Sequence, residues 1–117
     1  MATTITTAGK NLMLTTCKAT IAYAALLTSG DVEATGGNPA YARKAITFAD
    51  AANGAMALNG TLPVFDVPAG FTVGKVAYYS ALTSGTQYAV DVVTSEAFAA
   101  QGTYTLTSGT ITLADPA

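Results

Sequence analysis

The sequence predicts an all-β domain, an antiparallel β-sandwich of jelly-roll-like form preceded by a short helix. Three observations carry that expectation. Runs of β-branched and aromatic residues alternate with period two; Gly, Ser, Asn and Pro recur between them at the short spacing of tight turns; and hydrophobic residues make up 50% of the 117 positions against 10% charged. A soluble domain of this size ordinarily carries roughly a quarter charged residues. With twenty threonines in place of those charges, the surface is expected to be Thr-rich and partly buried against other subunits. The length fits one core, with residues 1–7 as a polar N-terminal arm and 8–117 as a single sandwich domain.

The elements follow in order. In Ala8–Thr20, Leu12, Thr16 and Ala19 keep helical spacing behind Thr7, an expected N-cap. From Tyr41 to Phe48 the two parities separate, so a strand is expected with Arg43 directed away from Ile46 and Phe48. Leu62–Val67 is interrupted by Pro63 and closed by Pro68-Ala69-Gly70, the pattern of an edge strand running into a turn. Val73–Ser80 and Gln87–Val93 read as a hairpin. Tyr104–Leu106 and Thr110–Leu113 read as a second, with Gly109 suited to positive φ. Leu-Thr-Ser-Gly occurs at 27–30, 82–85 and 106–109 with unequal intervals; it reads as one turn solution used three times.

Composition also narrows function. The five basic residues, Lys10, Lys18, Arg43, Lys44 and Lys75, are scattered, and the net charge is −2, so nothing tracks a phosphate backbone and nucleic acid is not an expected partner. The longest apolar run, Ile21–Leu27, is far short of a membrane span. The first residues lack the basic and apolar regions of a secretory signal. A lone Cys17 suits a reducing compartment and a core position. Without histidine the commonest general base and metal ligand are missing, and His-based triads and Cys/His zinc sites cannot be built. Of the acids Asp31, Glu33, Asp50, Asp66, Asp91, Glu96 and Asp115, most read as loop and strand-edge solubilisers. Asp31 and Glu33 in particular fall in a Gly-rich connector rather than on a pocket wall. Neither an enzyme nor a cofactor is expected. Lys75 with Asn53 or Asn59 could formally make an isopeptide bond, but nothing in their spacing selects them. Adjacent Tyr78 and Tyr79 must face opposite ways, leaving one for a subunit contact.

One segment carries a resemblance. Val32-Glu33-Ala34-Thr35-Gly36-Gly37-Asn38-Pro39-Ala40-Tyr41-Ala42-Arg43-Lys44-Ala45-Ile46-Thr47-Phe48 resembles the Glu-Val-Ser-Gly-Gly-Ser-Tyr-Ala-Arg-Gln signature of a family of small β-sandwich structural proteins of tailed bacteriophages. Asn11–Leu14, Phe65–Ala69 and Val73–Tyr79 resemble further motifs of the same family. Asn38-Pro39 lengthens the Gly-Gly loop, and Lys44 stands where Gln is usual. The resemblance implies a virion protein assembled in the host cytoplasm, whose relatives are described as head or tail-fibre proteins. With neither heptads nor fibrous repeats in the chain, capsid decoration is the preferred reading. The expected partners are the major capsid protein and copies of the chain itself, a trimer by analogy. Candidate contact residues are Thr3, Thr4, Ile5 and Thr6 in the arm, Gly36, Gly37, Asn38, Tyr41 and Arg43 in the signature, and Tyr79. The alternative is a tail-tip or tail-fibre module that binds host receptor or glycan through exposed tyrosines and the Gly-Gly-Asn loop.

Overall fold

The computed structural model describes residues 4–113. Among them are one helix, α1 (Thr7–Thr20), and nine strands: β1 (Tyr23–Leu27), β2 (Lys44–Ala45), β3 (Thr47–Phe48), β4 (Ala55–Asn59), β5 (Val64–Val67), β6 (Thr72–Tyr79), β7 (Gln87–Ala97), β8 (Gly102–Thr105) and β9 (Thr110–Thr112). The protein is thus mostly β, with an N-terminal helix and three sheets, ordered β2-β1-β6-β7, β3-β4-β9 and β5-β8. All strand pairs are antiparallel.

Helix α1 starts one residue earlier than expected. Thr6, not Thr7, is the N-cap, extended at φ −70° and ψ 164°, and its hydroxyl accepts from the Gly9 amide at 3.2 Å. Three threonines, poor helix formers, are accommodated because Thr15, Thr16 and Thr20 each donate to the carbonyl four residues back. The residues that mark the helical spacing are not the ones it buries. Leu14 is enclosed and Cys17 half-buried against the core, while Leu12, Thr16 and Ala19 face solvent. A stripe with so few apolar residues left its direction ambiguous in the sequence.

β1 lies at the centre of the four-stranded sheet and was not anticipated as a strand. Ala24–Leu27 are buried on both faces, so the alternation that marks a half-exposed strand is absent. The expected strand 41–48 is divided. β2 pairs with β1, whereas β3 pairs with β4 in a different sheet. Ile46 stands between them, its amide bonded to the Ala22 carbonyl at 3.0 Å. Ile46 and Phe48 point into the core as the alternation requires.

The β6–β7 hairpin forms as read, with register shifts flanking the regular run Ala89–Val92. The second expected hairpin does not. β8 pairs with β5, and β9 pairs with β4, so 106–109 crosses between two sheets. Gly109 is accordingly absent from the residues with positive φ. Glycine is required there for space: a Cβ would lie 2.6 Å from Tyr78 Oη and 2.8 Å from Leu58 Cδ1. The three Leu-Thr-Ser-Gly copies likewise adopt different backbones. Asp31 takes positive φ after the first copy, Ser84 and Gly85 take it in the second, and no residue does in the third.

Around Tyr78 the core closes with Leu26, Phe48, Met56, Phe65, Val67, Val73 and Val76. Phe48 meets the Tyr78 ring edge-on at 5.8 Å between centroids. Each such side chain contributes roughly 1.5–3 kcal/mol through burial.

Candidate functional site

The signature segment folds back along the edge of β1, on the side of β2, and is held there by one carboxylate. Glu33 is fixed beside the end of β1 by an antiparallel bridge to Leu27. Arg43, ten residues on, donates through Nε to Glu33 Oε2 and through Nη2 to Oε1, both at 2.9 Å. This is the bidentate pairing that a planar guanidinium makes with a carboxylate. The Tyr41 hydroxyl also donates to Oε2 at 2.9 Å and accepts from the Leu26 amide at 3.0 Å. Arg43 Nη1 reaches the carbonyls of Ala81 and Ser84 at 3.0 and 2.7 Å, and its guanidinium stacks over the Tyr79 ring at 3.7 Å. The Arg43 side chain is 9% exposed. One ion pair therefore ties together loop 28–43, the central strand and the β6–β7 turn.

The electrostatics follow from these contacts. Hydrogen bonds from Arg43 hold the Glu33 carboxyl below its ordinary value of 4.5. Those same bonds to Glu33 raise the guanidinium above its usual range. Burial pushes the Tyr41 phenol up, so it stays a neutral donor.

Beside the ion pair is an open cleft of about 380 Å³, walled by the signature segment on one side and by Leu82, Thr83 and Ser84 on the other. Glu33 lines it, contrary to the expectation that this acid lies away from any pocket wall; the chain's return along 41–43 makes the wall.

Of the sequence-predicted residues, the fold brings Tyr41, Arg43 and Tyr79 into this network. Gly36 and Gly37 adopt φ of 80° and 95°. The Gly-Gly-Asn loop docks on the β7–β8 connection, where the Asn38 amide donates to Gln101 Oε1 and Gln101 Nε2 to the Pro39 carbonyl, both at 3.2 Å. Thr4, Ile5 and Thr6 are exposed at the start of α1, away from the network, and Thr3 lies outside the described residues. Tyr78 is the inward tyrosine, its hydroxyl donating to Asp91 at 2.8 Å. Lys75 pairs with Asp31 at 2.6 Å and Asn59 accepts from Thr47, so no Lys–Asn pair is assembled. Among the described residues no group of three acids or thiols is placed to hold a metal ion.

Sequence reasoning missed the outer face of β7. Tyr88, Val90 and Val92 face solvent while Asp91, between them, is turned inward to Tyr78. The alternation is plain in the sequence, but its apolar parity would ordinarily be assigned to the core. No protein-family model, no curated protein and no solved structure matches this chain.

Proposed function

We propose that this chain is a non-enzymatic structural protein of a bacteriophage virion, a decoration subunit that stabilises the capsid through contacts with the major capsid protein. In this reading the three sheets form one jelly-roll-like sandwich, and the chain works as a preformed block. The observation that carries it is the use made of the signature residues. The charged and phenolic groups of Glu33, Tyr41 and Arg43 are spent on each other and on backbone carbonyls, as suits rigid positioning of a loop rather than turnover. The low charge and the apolar outer face of β7 add support, because such surface is characteristically covered by another protein.

The alternative, receptor or glycan binding at a tail tip, draws on the open cleft and its hydroxyl-bearing wall of Thr35, Thr83 and Ser84. Quantitative mass spectrometry of purified virions separates the two. Copy number near that of the major capsid protein is the decoration outcome; a few copies per particle would assign the chain to the tail, and absence would refute a virion role.

A further inference from the structure

β7 is the edge of the four-stranded sheet, and among the described residues no strand pairs with its outer side. Natural edge strands are ordinarily guarded by lysine, proline, β-bulges, inward charge or short length. β7 has eleven residues, with neither lysine nor proline, and its two irregularities leave the run Ala89–Val92 between them regular. Its one inward carboxylate near the middle, Asp91, is neutralised as a guard by its bond to Tyr78. The solvent-facing parity is apolar: Tyr88 is 50% exposed, Val90 40% and Val92 80%. Removal of that surface from water favours a partner, and the free edge offers it a ladder of backbone hydrogen bonds.

From this geometry we infer that the outer edge of β7 pairs antiparallel with β7 of a second copy of this chain, about a two-fold axis at Val90. The register suits a self-partner. With Val90 on the axis, Val90 meets its own counterpart, and Tyr88, at the shift that ends the regular run, comes opposite Val92 of the second copy, the aromatic and β-branched combination that stabilises cross-strand pairs. On the other face Asp91 stands opposite Ala89. A register centred on Asp91 would set two carboxylates against each other, which like charges directly opposite disfavour. The regular run Ala89–Val92 between the register shifts coincides with the centre of this pairing. A contact built on about five residues per strand is small, so a dissociation constant in the roughly micromolar range is expected. The inference stands apart from the virion reading, since it concerns only the chain's association with itself.

The test is light scattering coupled to size exclusion on the purified chain, from about 1 to 100 µM to bracket that affinity. Wild type is expected to pass from monomer to dimer. Val90→Lys, which sets two ammonium groups opposite each other at an exposed position, is expected to weaken dimerisation at least ten-fold with unchanged circular dichroism. In a Cys17→Ser background, Val90→Cys is expected to form an inter-copy disulfide on mild oxidation, because residues on the axis are the only ones that meet their own counterparts. Val92→Cys, four positions from its counterpart, is expected to stay reduced. A wild-type chain monomeric throughout overturns the inference and leaves the edge to a different protein. A dimer indifferent to Val90→Lys, or cross-linked equally through position 92, overturns the proposed edge or its register.

Discussion

Glu33 and Arg43 show how much one pair of side chains can organise. Because the guanidinium is almost enclosed, Glu33→Gln leaves its charge without a counter-charge while keeping most of the shape. Loss of a hydrogen-bonded charge partner costs about 1–3 kcal/mol, and a melting temperature lower by several degrees is expected at neutral pH. The pH dependence has a definite sign. A carboxyl held below 4.5 in the folded state contributes stability that is complete above that value and is lost as pH falls through the lower folded value. The gap in melting temperature between wild type and Glu33→Gln is therefore expected to narrow below pH 4.5, and thermal scans across pH 3–7 measure it. A gap constant with pH would mean that Glu33 acts through shape alone. Gly109 makes a different residue-scale prediction. Gly109→Ala drives a methyl group into Tyr78 Oη, which Asp91 holds in place, and overpacking of this kind costs about 1–3 kcal/mol. Chemical denaturation of Gly109→Ala beside Gly36→Ala separates space from backbone conformation, since Gly36 has no atom within 4 Å of the position of a Cβ but a φ of 80°.

At the scale of elements, what could be read from the sequence depended on how each element is buried. β7 and the inward Ile46 and Phe48 were legible because one face is covered and the other is not, while β6, covered on both faces, was legible through its β-branched and aromatic run and the turn that follows it. β1, covered on both faces, left no period to find. β8 and β9 were assigned to each other because they are neighbours in sequence, yet each found a longer-range partner; three- and four-residue strands carry too few side chains to specify pairing locally. The helix was legible in position but its buried face was not, for Leu14 alone among its residues is fully enclosed. With so little packing to hold it, α1 depends more than usual on its end. Thr6→Ala is expected to cost about 1 kcal/mol and Thr6→Ser close to nothing, differences that urea unfolding followed by circular dichroism at 222 nm resolves. Equal stability of both variants would place the cap's role elsewhere.

For the whole molecule, the candidate site was partly foreseen. The signature residues were singled out one by one, but their convergence on Glu33 depends on a loop turning back by ten residues and on carbonyls at 81 and 84, separations that local pattern does not encode. The association surface was missed for the opposite reason. The pattern in β7 is strong, and only the three-dimensional placement shows that its apolar side looks outward. A two-fold contact through β7 also bears on assembly. It would link copies in pairs, whereas the trimer expected from analogy needs a heterologous surface elsewhere.

The division of 44–48 between two sheets has a mechanical consequence. Lys44–Ala45 is bonded into one sheet and Thr47–Phe48 into another, with only Ile46 between them. Sliding of one sheet against the other is limited to what a single pair of backbone torsions can absorb. A one-residue slip of β2 along β1 would drag Phe48 out of its pocket and carry the error into β4. The backbone itself thus keeps the two ladders in step, and a tug on either is borne by covalent bonds before the side-chain interface between the sheets has to yield.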